Sequence, residues 1–378
     1  MKKNGLKIIA IVLAAILLVV AGILVVHYVR FSKRTYDTFE VKSEIKNTGN
    51  TGASFLTGTG IVVRYTRDGV SGFGTNGKEK WNVSYEMSNP VADVCGTYAA
   101  VADKGSENLY ILDGTGNVHN ITTEHPVENV EVADKGITAV WMDEGDKDYI
   151  TLYKVDGNKI ADIMTTAADD GVPVAIGLSP DGSKLVTSYA VFEENHLKNQ
   201  VTFYNFSDSG SNYVDRLVGL KTYEDRLVAD IEFAGEDMVV CFSDAGINLF
   251  EMDVTEAEKK EIKIEDTIRQ VSVSEDHIGV VTLSSSGERK VTVYKPDGSV
   301  KETKKLEENY DNFMLAGNDI IFFAGTKLYI TRLNGADKIT TDVGMDIEAV
   351  LPVDGKRTFM IVGEQSFKII ELEVSEKN

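Results

Sequence analysis

The chain has 378 residues, a formal net charge of −20 and two cysteines. This length allows two average domains or one large β architecture, and 43% apolar residues with only six prolines exclude a disordered chain. The charge is uneven, because residues 1–34 hold six of the 39 basic residues and none of the 59 acidic ones. The remainder therefore carries −26, which excludes the usual nucleic-acid binder, since such binding depends on Lys and Arg displacing counterions.

A strongly apolar segment near the N-terminus is the first predicted element. It runs over residues 8–29 as IIAIVLAAILLVVAGILVVHYV and contains no formally charged side chain. A helix of this length rises about 33 Å, enough to cross a hydrocarbon core of about 30 Å. It is longer than the apolar region of a cleaved signal peptide, and it ends in His27, Tyr28 and Val29 rather than in a small-residue cleavage site. We therefore predict an uncleaved signal-anchor helix at 8–29, after a short cytoplasmic tail at 1–7.

The orientation of this helix is not decided by its flanking charges. The basic residues on its two sides are equal in number: Lys2, Lys3 and Lys7 before it, and Arg30, Lys33 and Arg34 after it. However, the tail of seven residues gives little to translocate, and the MKK start resembles bacterial export signals. We expect the N-terminus in the cytoplasm and, after a linker at 30–36, the rest of the chain outside the cell membrane.

Short β-type runs separated by Gly, Asp and Asn fill the chain from about residue 35 onward. A strand that ends in a tight hairpin recurs as NLYILDGTGNV at 108–118, YITLYKVDGNKI at 149–160, KVTVYKPDGSV at 290–300 and KLYITRLNGADKI at 327–339. Each Asp-Gly or Asn-Gly pair predicts a two-residue turn with φ > 0 at both positions. Looser copies at 200–210, 246–253 and 366–373 give a period of about 40–50 residues, which is the length of a propeller blade. Residues 255–265 alone could form a helix, although their end alternates like a strand.

Each repeat predicts an inner, a middle and a third strand, then a hairpin and an outer strand. Eight such units begin near Ala53, Val91, Val127, Val174, Val228, Arg269, Asp311 and Asp346. The last one stops at Glu373 without an outer strand, whereas residues 38–45 alternate as a lone strand before the first unit. We therefore predict an all-β domain at 37–378, a β-propeller of eight blades, closed by this N-terminal strand pairing with the last blade. Seven blades is the alternative, if two irregular units share one blade.

Two short motifs resemble those of known propeller families. TNGKEKW at 75–81 resembles the Gly-Lys-x-x-Trp outer-strand signature of quinoprotein-like repeats, and LSPDGSKL at 178–185 resembles the Ser-Pro-Asp-Gly hairpin of TolB-type and WD40-like blades. The whole chain is similar to an uncharacterised Gram-positive, clostridial-type family of single-pass membrane proteins with one N-terminal helix and a propeller. The resemblance implies the fold, and it brings no functional residues with it.

The pattern predicts no catalytic, cofactor-binding or metal-binding residues, and it leaves the ligand-binding residues unknown. Cys95 and Cys241 lie in separate apolar runs, which indicates two buried free thiols rather than a disulfide. The histidines at 119, 125, 196 and 277 lack metal-binding spacing, although 119 and 125 form a near pair. The acidic run at 143–148 lacks the order of an EF-type calcium loop and is predicted to be an exposed hairpin tip.

Two tryptophans, Trp81 and Trp141, complete the candidate residues. Quinone-dependent enzymes on propeller folds use a vicinal disulfide, a calcium site and a tryptophan floor, so two distant cysteines and two tryptophans argue against a quinone cofactor. The tryptophans could stack on an envelope sugar or peptide, but we expect them to pack between neighbouring blades, because large aromatic side chains mostly serve cores.

These features predict a membrane-anchored, extracytoplasmic propeller that acts as a binding or scaffold module of the cell envelope. Its membrane contact is the segment 8–29, and its partner is an unidentified envelope protein, peptide or glycan. The alternative is a hydrolase of envelope polymers, since 59 acidic residues can place carboxylates at the mouth of a propeller channel. An enzyme is disfavoured because no site can be assembled from the sequence. A sensor would need partners in the membrane, because residues 1–7 are too short for an output domain.

Overall fold

The computed structural model describes residues 13, 17, 19–22, 33–46, 52–193 and 196–374. The predicted cytoplasmic tail at 1–7 and most of the predicted signal anchor at 8–29 lie outside these residues, and positions 13, 17 and 19–22 are helical. Within the described part of the chain, no helix is both long and apolar enough to cross a membrane.

From residue 38 onward the chain forms eight four-stranded antiparallel sheets, which are the blades of a propeller. After β1 (Thr38–Lys46), blades 1–4 consist of β2 (Ser54–Gly58), β3 (Ile61–Tyr65), β4 (Gly69–Gly74) and β5 (Glu79–Ser84); β6 (Pro90–Cys95), β7 (Tyr98–Asp103), β8 (Asn108–Leu112) and β9 (Val118–Thr122); β10 (Val127–Val132), β11 (Thr138–Asp143), β12 (Lys147–Tyr153) and β13 (Lys159–Thr166); and β14 (Val172–Leu178), β15 (Lys184–Glu193), β16 (His196–Asn205) and β17 (Leu217–Tyr223).

The second half of the chain repeats the same arrangement. Blades 5–8 consist of β18 (Val228–Ala234), β19 (Met238–Ser243), β20 (Gly246–Met252) and β21 (Glu256–Lys263); β22 (Thr267–Ser274), β23 (His277–Leu283), β24 (Arg289–Tyr294) and β25 (Val300–Leu306); β26 (Asn312–Ala316), β27 (Asp319–Ala324), β28 (Lys327–Arg332) and β29 (Asp337–Asp342); and β30 (Ala349–Pro352), β31 (Thr358–Val362) and β32 (Ser366–Glu373) together with β1. The inner strands begin within three residues of the predicted unit starts.

The ring is closed by its two ends, as the lone strand before the first unit predicted. β1 pairs antiparallel with β32, from Thr38 opposite Glu373 to Lys46 opposite Ser366, with one bulge between Val41 and Ser43. The N-terminal strand therefore supplies the outer strand of blade 8, and the count is eight blades rather than seven. Because of this closure, blade 8 has four strands like the other blades.

The core is divided among the blade interfaces. Eight clusters of buried apolar side chains are found in the described residues, and each joins one pair of neighbouring blades, including blade 8 with blade 1. Residues of the middle and third strands supply most of these side chains, because alternate positions of each strand face opposite neighbours. Burying one Val, Leu or Ile side chain stabilises the fold by about 1.5–3 kcal/mol, so every interface contributes to holding the ring shut.

The hairpin turns differ from the predicted type. Gly157, Gly298 and Gly335 have positive φ, but the Asp or Asn before each does not, so the predicted two-residue turn with φ > 0 at both positions is wrong. In the first of these turns, Asp156 Oδ1 accepts the Asn158 amide at 3.1 Å, and the register of β12 and β13 shifts beside it. The carboxylate thus stabilises a turn in which Asp156 itself does not have positive φ. Gly157 supplies the left-handed residue that ends this longer, bulged turn.

Two further segments settle questions that the sequence left open. The possible helix at 255–265 contains strand β21, whose outward side chains are charged. The stretch after β16, interpreted as part of a loose hairpin, instead contains two short 3-10 turns, Asp208–Asn212 and Val214–Arg216. This insertion on blade 4 was not predicted.

Candidate binding surfaces

Both tryptophans lie between neighbouring blades, which confirms the packing role predicted for them. Trp81 is 7% exposed and packs in the cluster of blades 1 and 2, against Gly72, where an added Cβ would lie 2.2 Å from the indole. Trp141 packs between blades 3 and 4, and its Nε1 donates to Asp148 Oδ1 at 2.8 Å. Asp148 is therefore buried, and only residues 144–146 of the acidic run form the predicted exposed tip.

The cysteines and histidines are dispersed over the ring. Cys241 is buried and Cys95 half-buried, both as free thiols, and burial raises the pKa of Cys95 to about 11. The ring of His125 stacks on Tyr149 with 4.0 Å between centroids, while His119 lies in β9. Among the described residues, no group of three or more His, Cys, Asp or Glu side chains could hold a metal ion.

The first candidate surface is the central channel, which the eight inner strands surround. Four carboxylates on three of these strands belong to it: Asp93 on β6, Glu131 on β10, and Asp230 and Glu232 on β18. On β10 and β18 they alternate with apolar side chains that are buried against the preceding blade. A bulge recurs near the start of the inner strands of blades 3–6, and on β18 it immediately precedes Asp230.

Burial raises the pKa values of all four carboxyl groups, and repulsion by neighbouring charges adds to the shifts of Glu131 and Glu232. Burial, followed by the charges of Asp93, Glu232 and Asp230, raises the pKa of Glu131 well above its ordinary value. Solvent reaches Glu232 in the channel, but enclosure and the charges of Asp230 and Asp93 raise its pKa to about 8. Burial also raises the pKa of Asp93, although its Oδ2 accepts the Val132 amide of the next blade at 2.7 Å. The channel therefore holds carboxyl groups that are partly protonated near neutral pH.

A cavity of about 250 Å³ opens beside Asp93 in the same channel. Apolar side chains from the inner strands of blades 1 and 7 line much of it, chiefly Phe55, Leu56, Phe313 and Met314. Glu348, which precedes β30, adds a second carboxylate to its wall. The channel thus combines apolar and acidic walls, which suit an amphipathic or cationic group better than an anion.

The second candidate surface is at blades 3 and 4. Thirteen large apolar side chains of the described propeller residues are exposed, and eight of them fall between residues 164 and 220: Met164, Val172, Phe192, Leu197, Tyr213, Val214, Leu217 and Leu220. The β15–β16 hairpin has strands of ten residues each, and its paired Phe192 and Leu197 lie near the tip. A concentration of exposed apolar side chains in one part of a fold is typical of an interaction surface.

A groove of about 590 Å³ lies within this region, and we call it the blade 3–4 groove. Its lining consists of residues 160–165 on β13, Asp170, Tyr204, Phe206 and residues 215–217. The rings of Tyr204 and Phe206 are parallel, with centroids 6.2 Å apart, and form an apolar floor together with Ile160 and Ile163. The insertion after β16 forms one wall, so the groove depends on the segment that the sequence did not predict.

Polar groups in the blade 3–4 groove are unusually placed. Thr165 is 8% exposed, and its Oγ1 has no hydrogen-bond partner among the described residues. Asp215 and Arg216 both have positive φ, 53° and 61°, a conformation that non-glycine residues rarely adopt. Arg216 Nη1 donates to the Ser207 carbonyl at 2.8 Å, which fixes this strained turn on blade 4. A buried donor without a partner and a strained turn both mark places where a ligand can supply what the protein lacks.

Comparisons with known proteins identify a family and a fold. A family described as being of unknown function, DUF5711, matches residues 32–372. No curated protein matches the chain. Among solved structures, BamB from Moraxella catarrhalis is 12% identical with a TM-score of 0.54, covering 89% of this chain and 100% of its own. Sqt1 from Saccharomyces cerevisiae is 12% identical with a TM-score of 0.58, covering 90% of this chain and 100% of its own. At such identities the likeness extends to the fold alone.

Proposed function

This chain belongs to the DUF5711 family, whose function is unknown, and from its geometry we propose that it is a protein-binding scaffold held at a membrane. In this proposal residues 8–29 form the anchor, and the propeller is a rigid disc on the outer side of the cell membrane that binds a protein or peptide of the envelope. The observation that carries the binding role is the uneven surface: of the thirteen exposed large apolar side chains in the described propeller residues, eight lie at blades 3 and 4.

The start of the described propeller supports the anchoring part of the proposal. Tyr36 is 3% exposed in the cluster of blades 7 and 8, and its amide donates to the Lys338 carbonyl at 2.8 Å. Arg332 Nη2 donates to the Arg34 carbonyl at 2.5 Å. The segment next to the proposed anchor is therefore packed against blade 7, and an anchor joined in this way would hold the disc in a defined orientation.

The binding role is tested by crosslinking in cells that produce the full chain with an affinity tag. We expect one partner to be enriched relative to a tagged control carrying residues 1–33 alone. Purified partner should then bind the full chain in detergent saturably and without chemical change. Binding that does not saturate, or enrichment equal to that of the anchor control, would refute the scaffold proposal.

A hydrolase acting through the channel carboxylates is the second candidate, and one observation favours it. Glu232, with a pKa of about 8, keeps a proton at neutral pH and could act as a general acid beside Asp230. Under this alternative, incubation of the full chain with envelope polymers would release fragments, and Glu232→Gln would abolish release. Equal fragment release by wild type and Glu232→Gln would exclude the channel as the catalytic site.

A further inference from the structure

The blade 3–4 groove lies beside the outer edge of β13, which pairs with no other strand of the described chain. From this geometry we infer that β13 accepts an extended segment of a partner protein as a fifth strand of blade 3. Side chains from one face of this added strand enter the blade 3–4 groove, and the segment carries apolar residues at alternate positions and a Lys or Arg. This inference rests on the binding role proposed above and names its surface and the chemistry of its partner.

The outer edge of β13 is open to backbone pairing. β13 is the last strand of its sheet and pairs with β12 alone, and no backbone hydrogen bond reaches residues 159–165 from its other side within the described chain. Proteins protect such edges with charged residues. β21 and β25, the outer strands of blades 5 and 6, follow this rule, with six charged residues in eight and four in seven. β13 has two in eight, so charge protects its edge poorly, as it does the edges of β9 with none in five and β17 with one in seven; the adjoining groove distinguishes β13.

The blade 3–4 groove provides room for the side chains of an added strand. In strand addition, backbone hydrogen bonds supply affinity, and pockets for alternate side chains supply specificity. The groove runs along β13, and the apolar residues Ile163, Tyr204 and Phe206 line it. Thr165 places a buried, unpartnered hydroxyl in the same wall. An extended segment would fill the groove and could provide the hydrogen bond that Thr165 lacks.

The charge of the groove selects a basic segment. Three carboxylates line it, Asp162, Asp170 and Asp215, against one basic side chain, Arg216. Lys159 pairs with Asp162 at 3.2 Å, and Asp170 accepts the Thr166 amide at 2.9 Å. For the side chain of Asp215, by contrast, no hydrogen bond or ion pair is found in the described structure, so this carboxylate can pair with a Lys or Arg of the partner. The net negative charge of the propeller surface favours the approach of such a segment.

The test measures binding of a synthetic peptide by fluorescence anisotropy, with the full chain in detergent. The probe is a fluorescein-labelled octapeptide, Lys-Val-Thr-Val-Thr-Val-Thr-Lys, which has β propensity, alternating apolar residues and a basic residue at each end. Two control peptides are N-methylated at alternate amides, one along each edge of the strand, and a third control has Glu at both ends. We expect saturable binding of the probe and loss of binding for the Glu-ended peptide and for at least one of the two N-methylated edges.

Two variants with equally exposed side chains locate the site. Met164→Lys adds a charge to the edge of β13, where Met164 is 55% exposed, and Val300→Lys does the same on β25, where Val300 is 59% exposed. We expect Met164→Lys to weaken binding by at least about tenfold and Val300→Lys to change it less than about twofold. Asp215→Asn keeps a residue that tolerates positive φ and should weaken binding of the Lys-ended probe, whereas Asp311→Asn on another blade should not. Thermal unfolding of each variant shows whether it is folded.

Three results would overturn the inference: no binding of the probe, equal binding by Met164→Lys and wild type, or full binding of both N-methylated peptides. Binding of the partner found by crosslinking distinguishes a failure of this inference from a failure of the scaffold proposal. If Met164→Lys retains that partner at wild-type affinity, the protein is still a scaffold, but it does not bind through β13. If wild type has no saturable partner, the scaffold role itself fails.

Discussion

Carboxylates that alternate with buried apolar residues give the channel its chemistry at the scale of single residues. In β10 and β18, Val130 and Ile231 face the preceding blade, and the next residue in each strand is a glutamate. The alternation was visible in the sequence, but the meeting of Asp93, Glu131 and Glu232 in one channel was not. Asp93 and Glu131 lie on neighbouring blades 2 and 3 and Glu232 lies on blade 5, and the ring brings them near enough for the charges of Asp93 and Glu232 to raise the pKa of Glu131 and for that of Asp93 to raise the pKa of Glu232.

We expect the burial of these carboxyl groups, and the repulsion between them, to make the folded protein less stable as pH rises. The pKa of Glu232 is raised from an ordinary value of 4.5 to about 8, so between these values the folded state binds more protons than the unfolded state. The free energy of unfolding therefore falls as pH rises through this window. Glu232→Gln should unfold at higher urea concentration than wild type at pH 8.5, and the difference should shrink toward pH 5.

Urea unfolding of the full chain at pH 5, 7 and 8.5 checks this prediction, with Glu79→Gln on β5 as a control at an exposed site. A wild-type urea midpoint that rises with pH over this range would contradict a raised pKa of Glu232 in the folded state. A Glu79→Gln variant that behaves like Glu232→Gln would contradict it as well.

A second residue-scale feature is the buried ion pair of Asp319 and Lys338, which lies in blade 7. Their side chains are 7% and 4% exposed, and Lys338 Nζ lies 4.9 Å from the centre of the Phe359 ring in blade 8. Burial raises the pKa of Asp319 and lowers that of Lys338 despite their contact. Removing one partner leaves the other charge buried alone, so Asp319→Ala should reduce the free energy of unfolding by about 3–5 kcal/mol.

The pair of exposed Lys42 and partly buried Glu371, 3.0 Å apart at the β1–β32 seam, is the matched control. Lys42→Ala should leave the urea midpoint close to that of wild type, because solvent screens the charge of an exposed lysine. Replacing both members of the buried pair, as Asp319→Leu with Lys338→Met, should recover much of the stability lost in Asp319→Ala. Urea unfolding measures all three, and equal losses for Asp319→Ala and Lys42→Ala would refute the expected difference.

At the scale of elements, regular repetition was predictable and irregular insertion was not. Alternating apolar residues and turn glycines located the inner strands within three residues, and the unpaired strand at 38–45 indicated how the ring closes. The insertion at 206–216 has no periodicity, because its 3-10 turns depend on tertiary contacts such as Arg216 with the Ser207 carbonyl. The blade 3–4 groove needs this insertion, so the sequence could not reveal the surface that now defines the proposed binding site.

The closing strand β1 should be required for a stable ring. A chain that starts at residue 47 lacks β1 and leaves the edge of β32 unpaired, and it also loses Tyr36 from the core of blades 7 and 8. We expect a lower thermal midpoint than for a chain that starts at residue 33, and partial dimerisation through the free edge. A peptide of residues 33–46 added in trans should raise the midpoint again. A monomeric chain from residue 47 with the midpoint of the longer chain would contradict this role of β1.

At the scale of the whole molecule, the proposed orientation places the whole acidic propeller on the outer side of the membrane. Anionic headgroups would repel such a disc, so we expect that only the proposed anchor and the residues docked on blade 7 hold it near the surface. The protein's two cysteines are half-buried and buried, which allows labelling of an engineered thiol. We expect Ser285→Cys, on an exposed turn of blade 6, to react with a membrane-impermeant maleimide in intact cells in a Cys95→Ser background.

A cysteine in the proposed cytoplasmic tail is the internal control for this orientation. Asn4→Cys should react with the same reagent only after lysis, because residues 1–7 would face the cytoplasm. Reaction of Asn4→Cys in intact cells, with Ser285→Cys protected until lysis, would place the propeller inside and rule out an envelope partner. Protection of both until lysis would remove the membrane-spanning role of residues 8–29, and with it the reason for a scaffold fixed at the cell surface.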